Sequence, residues 1–375
     1  MDLTFDADQA MIRDTTAAFL HKTSPLSAVR ALEAAPRGHS PELWADMAAL
    51  GLMGVAFPEE YGGLGKRFLE LCVVIEEMGR ARACGPFFST VALCGLPIFH
   101  FGSERQRRKY VSAIVAGERI MSYAEIEPGS TWGAARVDLV AVPDGDDYVL
   151  EGEKLFVPYA RAADDLLVVA RADDRGAHDY TLLIVNAQAH GIDYKRLETI
   201  GPEHEYCVRF QRVRVPRDRV LGRAGAAAPI VKSINLWGAA AKSAEMLGGA
   251  RKVLEMSVDY ARERRQFGRP IGAFQAIQHY CANMAVDVES ARYIAYEAIW
   301  RVSQGLDADK EVSAAKAWVS DAYRRVCALG CQIHGAIGFT REHPMQLYFR
   351  HAKAAELAFG DADYHREIVA SELGL

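Results

Sequence analysis

Two apolar seams near the C-terminal end constrain this chain most. Phe274, Ile277, Cys281, Met284, Val288, Ala291, Ala295 and Ala298 follow one another at alternating steps of three and four, and so do Val312, Ala315, Val319, Ala322, Val326, Leu329 and Ile333. That spacing places each set on one face of a long helix. Glycine-bearing breaks at 268–272, ahead of the first seam, and at 305–309, between the two, fold the chain back, which excludes a continuous rod and predicts an antiparallel helical bundle from about 226 to 375.

The other two-thirds of the chain differ in texture. Residues 1–119 read as short helices joined by Pro- and Gly-rich turns. One is expected from Glu104 to Ala116, with Ser103 as N-cap and Gly117 as its stop. Residues 120–225 read as a small β unit. Leu166–Ala170 and Tyr180–Val185 are short, rich in Val, Leu and Ile, and bounded by polar clusters, and Pro143-Asp144-Gly145 signals a turn. Along Val208, Phe210, Val213 and Val215 the alternation slips once, as a β-bulge would require. The expectation is a mainly α protein with three domains: an N-terminal helical domain (1–119), a middle β-barrel or sandwich domain (120–225) and a C-terminal four-helix bundle (226–375).

Composition narrows the partners. The net charge is 44 − 49 = −5, which gives no electrostatic reason for nucleic acid or an anionic membrane to bind. The basic run from Arg105 to Lys109 reads as the solvated face of a helix. Seven scattered cysteines form no Cys-x-x-Cys pair, so no metal site is expected and Cys327 and Cys331 read as buried thiols. No apolar stretch approaches the ~20 residues that span a bilayer, the first residues carry acids where a secretory signal needs positive charge, and a cytoplasmic protein is expected.

Four motifs then carry a resemblance. They are Leu50-Gly51-Leu52-Met53-Gly54-Val55 with Phe57-Pro58-Glu59-Glu60-Tyr61-Gly62-Gly63-Leu64-Gly65; Tyr123 with Glu127-Pro128-Gly129; Arg264-Arg265-Gln266-Phe267-Gly268 with Gln275; and Gln332-Ile333-His334-Gly335-Ala336-Ile337-Gly338-Phe339. In this order, over some 280 residues, the chain resembles the acyl-CoA dehydrogenase family of FAD-binding flavoproteins. The resemblance implies α,β-dehydrogenation of an acyl-CoA thioester and FAD lying across a subunit interface. It also implies a catalytic family subunit or a second copy of the chain as partner, and electron-transfer flavoprotein as acceptor. It further implies that Arg264, Phe267, Gln275, Gln332, Gly335 and Ala336 grip a neighbour's cofactor. Each has a physical reason: a guanidinium matches phosphate oxygens, an aromatic ring packs on adenine, and a glycine turn brings backbone N–H groups close to the pyrophosphate.

The chain also departs from the family. The reaction needs a positioned carboxylate to take a proton from the carbon beside the thioester. The usual position for that Glu is Phe359 here, ahead of Gly360, and the minority position is Gly238, followed by Ala239. Asp361 is a weak substitute that also fits a helix N-cap, and Glu245 lies two turns past Gly238. On the flavin-ring side, the family's Thr is Ile126, its Gly-Ser-Asp is Ser130-Thr131-Trp132, and its Trp-x-Thr is Phe156-Val157-Pro158. Residues reaching a neighbour's FAD are kept, while those serving this chain's own flavin ring and base are lost. The expectation is the non-catalytic, β-type partner of an α2β2 enzyme, such as those of steroid side-chain degradation. The alternatives are a self-sufficient homotetramer with a relocated base, a flavin monooxygenase on the same fold, and a structural protein without flavin.

Overall fold

The computed structural model describes residues 4–130, 137–172 and 179–375. The N-terminal part is helical: α1 (Ala7–Thr23), α2 (Leu26–Ala34), α3 (Pro41–Ala49), α4 (Phe68–Ala81), α5 (Leu96–Phe101), α6 (Glu104–Gln106) and α7 (Ser112–Val115). The helix expected from Glu104 begins on Ser103, whose hydroxyl accepts from the Gln106 amide, and ends at Gly117 with φ 73°. Between α6 and α7 it widens into a π-helical stretch, Arg107–Val111. Thr131 and Trp132 lie outside the described residues.

Among the described residues, eight strands form one sheet: β1 (Met121–Ala124), β2 (Val140–Asp144), β3 (Asp147–Pro158), β4 (Asp165–Ala172), β5 (Tyr180–Asn186), β6 (Ile192–Arg196), β7 (Glu205–Pro216) and β8 (Val220–Leu221). Their order is β6-β7-β3-β2-β4-β5-β8, with β1 parallel beside β4. The predicted bulge is present. Leu150 pairs with Val213 but Gly152 with Phe210, so β7 carries one extra residue there, and Arg212 absorbs it at φ 53°. The inward side chains, Leu150, Val168, Val185, Val208 and Phe210 among them, make a core of their own.

The C-terminal part is helical again. It comprises α8 (Ala228–Glu263), a hairpin of β9 (Arg265–Gln266) and β10 (Arg269–Pro270), then α9 (Gln275–Ser303), α10 (Asp309–His334), α11 (Met345–Leu357) and α12 (Ala362–Glu372). From Met284 onward the α9 seam is buried, and the α10 seam is buried except at half-exposed Leu329. Cys327 and Cys331 are buried free thiols. Helix α8 also packs on α4 with no side chain between them: a Cβ on Gly79 would lie 2.0 Å from the Glu245 carbonyl oxygen, and one on Gly248 would lie 1.8 Å from that of Glu76. Ion pairs flank the crossing, with Arg80 reaching both carboxylate oxygens of Glu255 at 3.1 and 2.8 Å and Arg251 pairing with Glu76. This contact joins the N-terminal helices and the bundle into one core.

Candidate active site and cofactor face

The middle of α8 carries the first group of functional positions. Gly238 is buried, and a Cβ built on it would meet the Phe359 ring at 2.5 Å. The two positions where the family would place its base are therefore one place in space, and hydrocarbon fills it. Phe88 adds a second ring, its centroid 6.0 Å from that of Phe359, and the Lys242 ammonium lies 4.1 Å from the centre of the Phe88 ring. Phe359 sits at φ 58°, a conformation costly for a residue with a Cβ. Its segment is held from three sides. The wholly buried Lys316 donates to the carbonyls of Glu356 (3.0 Å) and Gly360 (2.8 Å), and His365 Nε2 lies 2.9 Å from the Phe359 carbonyl oxygen.

Neither substitute acid named from the sequence is poised over this place. The Asp361 carboxylate accepts from the Tyr364 amide at 2.9 Å as the N-cap of α12. Glu245 is bound into a buried charge cluster: it pairs with Lys242, with Arg82 at 3.8 Å and with His351 Nε2 at 3.5 Å, while Arg82 also pairs with Glu203 at 2.9 Å. Burial works against its ionised form, but Lys242, His351 and Arg82 together hold its carboxyl well below the usual range. Glu203, Glu245 and His351 are close enough to share a cation. Arg82 and Lys242 already balance the two carboxylates, however, and burial lowers the His351 pKa, so the cluster is a junction between α4, the loop before β7, α8 and α11.

One acid in this region escaped the sequence reading. Glu125, the residue after β1, accepts a 2.8 Å hydrogen bond from the Asn235 side chain on α8. Glu127, which the sequence did flag, is turned away into the β unit, where Lys154 Nζ (2.5 Å) and the amides of Asp138 and Leu139 hold it.

The ring-side positions are apolar and open. Ile126 is 39% exposed and Phe156 is 46% exposed. Phe156 stands at φ 52°, and Pro158 offers no N–H. These residues supply no side-chain hydrogen bond for a flavin ring.

The second group gathers at the far end of the bundle. Arg264 caps α8, Phe267 and Gly268 form the hairpin tip, Gln275 opens α9, and Gln332, Gly335 and Ala336 close α10. Tyr260 near the end of α8 stacks on His334 at the end of α10, centroids 4.4 Å apart, which ties these ends together. All six residues named from the sequence are exposed. The tip has positive φ at both central residues, 51° at Phe267 and 78° at Gly268, as a type I′ turn demands. Phenylalanine is a poor choice for such a place on grounds of local energy, yet its ring projects 91% exposed. From Gly238 to Glu263 the helix rises roughly 38 Å, which is farther than a dinucleotide reaches. The bundle end cannot serve the cleft beside its own Gly238. The exposed guanidinium, amides and glycine turn have the chemistry to meet an adenosine diphosphate, whereas Ile126, Phe156 and Pro158 offer no side-chain donor on the other side.

Comparison with known proteins decides the family. Models of the acyl-CoA dehydrogenase N-terminal, middle and C-terminal domains match residues 6–118, 121–211 and 231–374. The chain belongs to the acyl-CoA dehydrogenase family. Members are FAD-dependent oxidoreductases acting on CH–CH bonds. The chain is 30% identical to the probable acyl-CoA dehydrogenase YngJ of Bacillus subtilis over 100% of both chains. It is 28% identical to the caffeyl-CoA reductase–Etf complex subunit CarC of Acetobacterium woodii, over 98% of this chain and 99% of that one. In structure it is similar to a chain of the ChsE4–ChsE5 complex from Mycobacterium tuberculosis, with a TM-score of 0.90, 28% identity and coverage of 100% and 99%. Among the described residues, no helix is long and apolar enough to cross a membrane.

Proposed function

We propose that this chain is the FAD-site-completing subunit of a heteromeric acyl-CoA dehydrogenase and works beside a catalytic subunit on an acyl-CoA thioester. The observation that carries this reading is the seating of the Phe359 ring on Gly238, which leaves both family base positions without an acid. The exposed set at the bundle end supports the other half of the reading. Arg264 would meet the pyrophosphate, Phe267 the adenine, and Gln275, Gln332 and the Gly335–Ala336 turn the remaining polar edges, all on the neighbour's cofactor. FAD, when bound, accepts the hydride; this chain's residues hold and orient its adenosine end. The similarity to a ChsE4–ChsE5 chain, named as a two-component complex, favours a heteromer, and the similarity to CarC of an Etf complex favours electron-transfer flavoprotein as acceptor. A bulky substrate such as a steroid side chain remains part of the proposal, as do the domain limits at 119/120 and 225/226.

The test is FAD stoichiometry. The chain is expressed alone and beside a family member that carries a Glu at either base position, and bound FAD is measured per chain. A pair holding one FAD for two chains, with the lone chain colourless, supports the reading. A lone chain holding one FAD per chain overturns it.

A further inference from the structure

The glycine turn at the bundle end rests on a column of three rings. Tyr260 from α8 stacks on His334, the last residue of α10, and His343 stands on the loop before α11 with its ring 4.7 Å from that of His334. The 3-10 turn Gly335–Phe339 leaves from His334 and comes back over it, since a Cβ on Gly338 would lie 3.1 Å from the His334 Cβ. His334 Nδ1 donates to the Gly330 carbonyl at 2.8 Å. His343 Nδ1 accepts from the Met345 amide at 3.2 Å at the start of α11, and an imidazolium has no lone pair for that bond. The surroundings oppose charge as well. Arg30 faces His343 from α2 and donates to the neighbouring Glu342 carbonyl. Tyr260 faces His334 from α8, and no carboxylate favours the charged form of either ring. Burial holds both rings below the ordinary 6.5, with Arg30 and His334 adding to the effect on His343. An opened turn, with its histidines in water, therefore binds more protons than the closed one below that value. The closed arrangement is favoured above it and is lost as pH falls through the values of the folded chain.

We propose that His334 and His343 form a proton-operated clamp on this turn: His334 is the positioning residue that seats Gly335–Phe339 against Tyr260, and His343 is the sensor whose protonation unseats it. Charging His343 forfeits the Met345 bond and sets a cation beside Arg30 and His334. What the turn holds, the adenosine diphosphate of a neighbour's cofactor, rests on the subunit reading. The clamp itself is a property of this chain alone, and it makes the grip on that cofactor weaken in mild acid.

The experiment follows amide hydrogen exchange by mass spectrometry in peptides covering 335–345 of the full-length chain, alone and in its complex with a catalytic partner. Exchange is compared at about pH 7.5 and about pH 5.5, either side of an ordinary imidazole, after division by the intrinsic rates. In the wild type, protection should fall severalfold at the lower pH. An Asn side chain accepts from the amide two residues on and takes up no proton, so His343→Asn should keep its protection at both values. His334→Ala should lose protection already at the higher pH, and His334→Phe, which keeps a ring on Tyr260, should recover it. Wild-type protection that is equal at both values, or that falls as far in His343→Asn, overturns the proposal, as does unchanged protection in His334→Ala. FAD retained by the complex, measured on the same samples, separates the two readings. A turn that loosens as FAD is lost supports both, whereas a turn that loosens with FAD retained supports the clamp and overturns the assignment of this turn to a neighbour's cofactor.

Discussion

The ring of Phe359 occupies the space a side chain at Gly238 would need, with Cε1 only 2.5 Å from an ideal Cβ there. One residue is bulky because the other has no side chain, although 121 positions separate them in sequence.

This pairing predicts strong coupling. In a helix interior, Gly→Ala normally gains about 1 kcal/mol. Here Gly238→Ala must push the ring aside, and overpacking costs roughly 1–3 kcal/mol. The single substitution should therefore destabilise, whereas the same substitution in a Phe359→Ala background should stabilise. Urea midpoints of the four proteins measure this, and additive effects would show that the ring is free to leave.

A second prediction concerns Arg82, which is 1% exposed and faces Glu203 and Glu245. Removing one partner of a buried pair leaves uncompensated charge, which costs roughly 3–5 kcal/mol. Arg82→Met should lower the denaturation midpoint accordingly. Adding Glu203→Gln should recover part of the loss, because the stranded carboxylate then disappears. A double variant no better than Arg82→Met would assign the loss to packing instead.

The limits of reading this chain as sequence follow from how local each signal is. The α9 and α10 seams, the Ser103 cap and the β7 bulge repeat over a few residues, and each is found where its pattern lies. The π-helical stretch at Arg107–Val111 leaves no comparable mark, since one extra residue per turn hides inside a helical pattern. The six residues proposed to meet a cofactor stand out in the sequence only as motifs, and topology brings them to one end of the bundle. The junction of Arg82, Glu203, Glu245 and His351 was not legible, because its four members come from four separate parts of the chain. Glu125 was hidden by its neighbour: Glu127 belongs to a motif, whereas only the fold reveals Asn235 opposite Glu125.

Stability should depend on pH through two groups with opposite signs. Burial lowers the Lys316 pKa from 10.5 to about 7. Between those values the unfolded chain holds more protons, so this lysine makes the fold gain stability as pH rises from about 7 to 10. Burial, with Glu203 nearby, raises the Glu205 pKa from 4.5 to about 7. Between those values the folded chain holds more protons, so this glutamate makes stability fall as pH rises through the interval. Lys316→Met should flatten the upper window and Glu205→Gln the lower one in urea melts from pH 5 to 10. Unchanged slopes would mean that neither group titrates where its surroundings place it.

The cofactor face should separate binding from stability. Arg264 and Phe267 are exposed, and the Phe267 ring makes an edge contact with Phe274 at 6.1 Å. Phe267 also holds a positive φ that favours glycine or asparagine. Phe267→Asn should leave the melting temperature of the lone chain unchanged or raise it, because the local strain is relieved. Exposed substitutions of the Arg264→Ala kind rarely shift stability beyond ~0.5 kcal/mol. In the complex with a catalytic partner, the same substitutions should lower retained FAD, since a stacking ring and a phosphate-matching guanidinium are lost. Strain kept at an exposed tip without benefit to the chain itself is explained only if something outside the chain uses that ring. Should Phe267→Asn keep its full FAD complement in the complex, the ring has another user and the hairpin does not reach the neighbour's cofactor.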